Sequence, residues 1–397
     1  MVSYKEIREK IQNFPKYKGC KYEDRSPLVN EGFSWTFNLS FGEPYLLKEY
    51  DSYSNFTHDY VCSAIQSVIR PNDIFDKIVK GIELWKYLGV FEMSDISGMI
   101  CFKEAHDYKE IQEFQISSLI HLLESFGLDK KKIYPTYSVG GPIFAISDGK
   151  YKFDFNVPED SVSRELFIKY GIPEKNLIKD STRNSFLCLH LNRKTPWGYR
   201  NEIHYNIGSE ESPELLDIAT LENLIWLPTF KPGAPEEAQN INGITKFQHS
   251  LHLSVIGVER FAMVVNGLNK IQEVDYLRDY FEKAFTVFSE FDEKDVIIIG
   301  ELIRVLHRIF SDLKHYRLKL NKRQRQYKNK MIIALVDKLG GKFDPEKIKP
   351  LLEIHAEVQP WHPELKEGIE ETLTEISRYL SLYYKTVSYT HLTLPTN

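Results

Sequence analysis

The feature that most limits what this chain can become is a change of hydrophobic period near Asn269. Before it, apolar and polar residues alternate in short runs broken by Gly and Pro, the pattern of half-buried strands. Beyond it, apolar residues recur at helical spacing: Leu277, Phe281, Phe285 and Phe288, then Ile298, Leu302, Val305, Leu306, Ile309 and Leu313. Strands followed by a long run of helices predict an α+β domain joined to an all-helical one. The expected boundaries are 1–268 and 269–386. Residues 387–397 break the helical period and resemble translated adapter sequence. They are expected to be a non-native tail, with the natural chain running further.

Within the first part, helices are expected at 4–13, at 107–126 with Gly127 as the cap, and at 160–170, stopped by Gly171 and Pro173. Strands are expected at 28–50 (Phe33, Trp35, Phe37, Leu39), at 61–70 before a turn at Pro71-Asn72-Asp73, and as a pair in 88–103. More follow in 132–156, 183–207 and 214–227. The 397 residues are 42% hydrophobic and 13% aromatic, which suffices for a large core and excludes a disordered chain. A net charge of −5 rules out a general polycation, so any nucleic-acid contact must be a local patch. Cys20, Cys62, Cys101 and Cys188 form no CxxC pair, which points to a reducing cytosol rather than a disulfide or zinc framework. No apolar run approaches the roughly 20 residues that span a bilayer, so no membrane partner is expected.

Two segments carry chemistry. Gly257-Val-Glu-Arg260 opens the apolar run Phe-Ala-Met-Val-Val. A glycine there lets backbone approach a ligand, and the arginine offers a planar cation suited to phosphate. The same residues also read as an ordinary helix start. The stretch Lys314–Lys330 contains no acid and is interleaved by Tyr316 and Tyr327. It reads as a phosphate-tracking surface or as a solvated helix face.

Taken in order, the motifs resemble the alanyl-tRNA synthetase family, a class II aminoacyl-tRNA synthetase, over nearly everything from Tyr4 to about Leu382. The opening helix and Arg25-Ser-Pro-Leu-Val29 are similar to the family's start. Ile69-Arg70-Pro-Asn72-Asp73-Ile resembles its Arg segment, and Val90-Phe91-Glu92-Met93 its Phe-Glu-Met strand. Tyr170-Gly-Ile-Pro-Glu-Lys-Asn-Leu-Ile178 is similar to its Gly-Ile-Pro turn. Thr195-Pro-Trp-Gly-Tyr-Arg-Asn-Glu202-Ile-His-Tyr205 matches a further motif at Pro196, Gly198, Glu202, Ile203 and Tyr205. Leu216-Asp-Ile-Ala-Thr-Leu221 looks like a core strand, and Gly257-Val-Glu-Arg260 like the family's Gly-Leu-Glu-Arg. Leu302-Ile-Arg304 and the basic stretch to Asp337-Lys-Leu-Gly340 track its helical tRNA-recognition region.

The resemblance implies a class II synthetase-type antiparallel β-sheet flanked by helices, followed by an all-helical domain. It implies ATP-dependent formation of an aminoacyl-adenylate with Mg²⁺, and transfer to the tRNA acceptor stem. Arg70 would hold the α-phosphate and the attacking carboxylate, Phe91 the adenine, Glu202 the Mg²⁺ of MgATP, and Arg260 the γ-phosphate. Asp73 and Gly257 would complete the nucleotide site. Each has a plainer reading: Arg70 and Asp73 as turn residues, Phe91 as core, Glu202 as an outward strand residue. The amino-acid pocket would comprise Met93, Leu189, Leu253 and Ser254. Arg304, Arg317, Lys322, Arg323, Arg325 and Lys328 would meet tRNA. The chain departs from the family at Leu253, where the family places the Asp that binds the substrate ammonium. Glu92, Asp95 and Glu222 are the candidates to supply that acid. The departure leaves two further readings open: a paralogue activating another carboxylic acid for a non-tRNA acceptor, and a catalytically dead RNA-binding protein.

Overall fold

The chain passes back and forth between two units. One takes Met1–Arg25, Phe41–Gln66 and Met93–Gly267; the other takes Ser26–Ser40, Ser67–Glu92 and everything from Leu268 onward. The computed structural model describes residues 1–30, 37–50, 56–102, 108–144, 152–340 and 343–392, except for the side chains of 102 and 383–392. Phe33 and Trp35, expected in strands, lie outside the described residues.

The first unit is built on a mixed sheet within an α+β arrangement. Its main path runs β1 (Lys21–Tyr22), β2 (Tyr60–Ser63), β5 (Met99–Phe102), β13 (Ile241–Gly257), β12 (Leu215–Phe230), β11 (Trp197–Asn206), β6 (Ile133–Ser138), β9 (Ile178–Asp180). The inner pairings are antiparallel, and the two outermost, β1 with β2 and β6 with β9, are parallel. β10 (Phe186–Cys188) adds to β11, while β7 (Gly141–Phe144) and β8 (Lys152–Val157) form a separate hairpin. β3 (Ile65–Val68) and β4 (Phe91–Asp95) each begin in one unit and end in the other.

The helices of this unit are α1 (Tyr4–Asn13), α2 (Glu43–Glu49), α4 (Tyr108–Ser125), α5 (Ser161–Lys169), the single turn α6 (Thr182–Ser185) and α7 (Val258–Val265). A capping box between Ser3 and Glu6 starts α1. α4 lies on the central strands: Gln112 donates to Asn201 Oδ1 (3.0 Å) and Gln115 to the Leu253 carbonyl (3.0 Å). These amides satisfy buried polar groups that would otherwise be costly. One sheet face is therefore closed.

Two local expectations change. In 28–50 the described residues hold no strand and form α2 instead. Pro44 is tolerated in its first turn, and Tyr45 and Leu46 bury one side. In 183–207 the expected strands are β10 and β11, but α6 precedes β10 and an irregular stretch separates it from β11.

The second unit centres on α9 (Glu293–His315), buried all round from Val296 to Asp312, as a core helix should be. Around it are α8 (Asp275–Val287), α10 (Lys322–Leu339), α11 (Lys349–Glu357), the turn α12 (Glu364–Glu367) and α13 (Ile369–Leu392). The α13 backbone continues through position 387, where the sequence period breaks. Earlier in the chain, α3 (Pro71–Asp73) passes into a wider turn over Ile74–Ile78, with Val79 N–H bonded to the Ile74 carbonyl at 2.8 Å. Buried charges on α9 bind these early segments. Glu301 accepts from Gly89 N–H (2.7 Å), Arg304 donates to the Val90 carbonyl (3.2 Å), and Asp312 accepts from Leu28 N–H. Among the described residues no helix is long and apolar enough to cross a membrane.

Candidate functional site

In the first unit the site begins at a β-bulge. The β11–β12 register shifts between Trp197 and Gly198, and Gly198 lies so close to the Asn223 carbonyl that no side chain fits. Past the bulge, alternation puts Arg200, Glu202 and His204 on the half-open face, and Asn201 and Ile203 on the closed one. Glu222 lies opposite Arg200 and Thr220 opposite Glu202. On the next strand Leu253 lies opposite Glu222, and Val255 opposite Thr220.

A charge group results. Arg200 Nη2 pairs with Glu202 Oε1. Its Nε is buried without a hydrogen-bond acceptor and faces Glu222 Oε1 at 3.8 Å. The Thr220 hydroxyl donates to Glu202 Oε2 at 3.1 Å. Burial pushes the Glu202 carboxyl up to about 7; Arg200 opposes the rise, while Asp217 and Glu222 add to it.

At the end of β13, Gly257 caps α7 with an ordinary φ of −82°, so its left-handed freedom is not used. A Cβ there would meet nothing within 4 Å, which leaves room in front of the helix. Arg260 Nη1 reaches Asp217 Oδ2 (3.2 Å) and the Asp217 carbonyl (3.3 Å).

The four expected pocket residues are spread over β4, the bend after β10, and β13. Met93 pairs across from Gly257. Leu189 is half-buried in the bend after β10, next to His190, whose Nε2 is 3.5 Å from Glu43 Oε1. Leu253 is buried, its Cδ2 packed against Gly42 with Met99 beside it. Ser254 corrects the expectation: as the next residue of the strand it turns to the opposite face, where its hydroxyl is 2.5 Å from Ser97 Oγ. Of the acids considered for the ammonium, Asp95 is held by Lys16 at 2.9 Å. Glu92 is buried in the second unit, 3.0 Å from His362. Glu222 stands beside Arg200 on the half-open face.

Arg70 and Phe91 belong to the second unit. Arg70 precedes α3, donates from Nε to the Leu39 carbonyl (3.1 Å), and sets its guanidinium 5.5 Å over the Phe91 ring. Asp73 is half-buried in the α3 turn. Arg317 is exposed in the turn after α9, with φ of 54°, and Lys322, Arg323 and Arg325 are exposed on α10. Two of the expected tRNA contacts are corrected. Arg304 is 1% exposed and spent on Glu301 and Val90. Lys328 turns inward to Glu375 at 3.5 Å, between the Phe310 and Tyr379 rings, and burial lowers its pKa. Each is already engaged in an ion pair, fully buried for Arg304 and partly exposed for Lys328.

Sequence reasoning did not single out Arg200, Thr220, Asp217, His190 or Glu43. The available signal was Arg200 and Glu202 two apart on one strand, a spacing that puts both on one face.

No protein-family model and no curated protein matches this chain. Among solved structures, a provisionally assigned threonyl-tRNA synthetase, ThrRS-1, from Aeropyrum pernix aligns at a TM-score of 0.36 and 10% identity. The alignment covers 68% of this chain and 65% of that one, so this chain spans just under two thirds of its length. A likeness that distant carries neither fold nor function.

Proposed function

We propose that this chain activates a small carboxylic acid as its adenylate at the expense of MgATP, with tRNA as the acceptor, in the manner of an alanine-tRNA ligase. The observation that supports this most is the Arg200 group: a buried guanidinium N–H without an acceptor, set between two carboxylates on a half-open sheet face.

Adenylate formation joins a carboxylate oxygen to the α-phosphorus of ATP and releases pyrophosphate. It asks the protein for orientation and charge compensation. Arg200 and Arg260 would supply positive charge to the phosphates. Glu202 fits a Mg²⁺ ligand, since it is a hard oxygen donor held by Thr220, and a cation beside it would restore its ionised form. The ion would withdraw charge from the phosphates. Glu222, across from Leu253, would take the substrate ammonium in place of the family's acid.

Pyrophosphate exchange into ATP, run with each amino acid in turn, tests the reading. Exchange with alanine supports the alanine type. Exchange with another acid alone keeps adenylate formation and replaces the substrate. Absence of exchange with every amino acid and its hydroxy-acid analogue removes the proposal.

A further inference from the structure

The segment from Ile74 to Tyr87 in the second unit has an unusual backbone and an unusual surface. Two i→i+5 hydrogen bonds, Val79 N–H to Ile74 and Ile82 N–H to Lys77 (both 2.8 Å), widen its turns. Gly81 (φ 64°) and Glu83 (φ 50°) are both left-handed, which costs energy at a glutamate. The segment is tied down: the Trp85 carbonyl accepts from Ile271 N–H (2.7 Å), and that of Leu84 from Gln272 Nε2 (2.7 Å).

What this backbone presents is rings and cations in alternation. Phe75 stacks on Tyr327 of α10 at 6.4 Å and 22°. Arg323 lies 5.9 Å from the centre of the Tyr327 ring, and Lys330 6.0 Å from that of Phe75. Further along, Lys86 stands 5.2 Å from Trp85 and Lys77 5.3 Å from Tyr87. All four rings are only half-buried. Glu83 pairs with both Lys77 and Lys86 and so offsets one of their two charges. The start of α10 adds three exposed cations, Lys322, Arg323 and Arg325.

We propose that this surface binds an unpaired nucleic-acid strand, with Phe75 and Tyr327 as its stacking pair. Aromatic faces flanked by cations match the alternation of base and phosphate along a single strand. A duplex hides its base faces and would offer this surface only phosphates. The inference needs no adenylate chemistry and stands whether or not that reading holds.

The test is fluorescence anisotropy on the full chain, with a 12-nucleotide unpaired RNA and a 12-base-pair RNA duplex, over a salt series. The unpaired strand binds at least about tenfold more tightly than the duplex at equal salt. Phe75→Leu and Tyr327→Leu each weaken the single strand by about fivefold to a hundredfold, with the salt slope unchanged. Tyr327→Phe keeps wild-type affinity, which separates a loss of stacking from a loss of folding. Replacing Lys322, Arg323 and Arg325 by Gln flattens the salt slope by about 0.7 for each phosphate that is no longer neutralised. Equal or tighter duplex binding, or leucine variants that melt normally and bind unchanged, overturns the proposal.

Discussion

Glu222 stands directly across from Leu253 in the antiparallel pairing of β12 and β13, on the sheet face that also carries Arg200 and Glu202. Under the proposed reading this carboxylate takes the substrate ammonium. Glu222→Gln is expected to raise the KM for the amino acid in pyrophosphate exchange by about 10- to 100-fold, the scale of a hydrogen bond to a charged group. The KM for ATP should change little. An equal rise in both constants would make Glu222 a general support of the site rather than an ammonium partner.

Gly198 tests the bulge that aims this face. An added methyl runs into the Asn223 carbonyl, which is backbone and cannot swing aside. Gly198→Ala should cost about 2–4 kcal/mol, seen as a lower denaturant midpoint at unchanged m. An unchanged midpoint would mean that the strands separate freely there and that the bulge does not fix Arg200.

Arg304 belongs to the interior. Removing its guanidinium leaves Glu301 buried without its ion-pair partner, so Arg304→Met should destabilise by about 3–5 kcal/mol. RNA affinity at a temperature where the variant stays folded should match wild type. Lower affinity at unchanged stability would restore a nucleic-acid role.

Much of the architecture was legible from period alone. α1, α4, α5 and the helices after Leu268 follow their apolar spacing, and the β4 and β5 strands fall inside the expected 88–103 pair. What local sequence could not carry was long-range pairing by charge. Ser26–Ser40 and Ser67–Glu92 join the helical unit because Asp312, Glu301 and Arg304 bond Leu28, Gly89 and Val90 from inside a helix. Such charges read as surface until their partners are known, which is why Arg304 looked like a tRNA contact; Glu301 three residues earlier was the one local hint. The Leu253–Ser254 pair is different. No strand was expected over 241–257, so the period of two that turns these neighbours to opposite faces became usable only with β13 in place.

The histidines of the second unit should make its stability depend on pH. His307 is buried, with Nδ1 2.9 Å from His355 Nδ1 and Nε2 2.8 Å from the Leu365 carbonyl, and burial lowers it to about 4. Its unfolded value is near 6.5, so the unfolded chain binds the extra proton first. The stability it permits is complete above about pH 6.5 and is lost as pH falls towards 4, by roughly 3 kcal/mol. Burial raises Glu301 and Asp312, which act with the opposite sign. The comparison with His307→Gln isolates the histidine. The stability difference between wild type and variant should shrink by that amount from pH 6.5 to 4; a constant difference would show that His307 does not titrate on unfolding.

Carboxylate activation at the face of Arg200, Glu202 and Arg260 is the central proposal. The most direct measurement follows oxygen. An amino acid labelled with ¹⁸O in its carboxylate is incubated with MgATP and the protein, and the AMP is weighed by mass spectrometry. Attack on the α-phosphorus and later cleavage at the acyl carbon leave one labelled oxygen on AMP. The account predicts labelled AMP with wild type, and none above background with Arg260→Ala at an unchanged melting temperature. Unlabelled AMP with every amino acid, or labelled AMP from the Arg260→Ala variant at the wild-type rate, would contradict it.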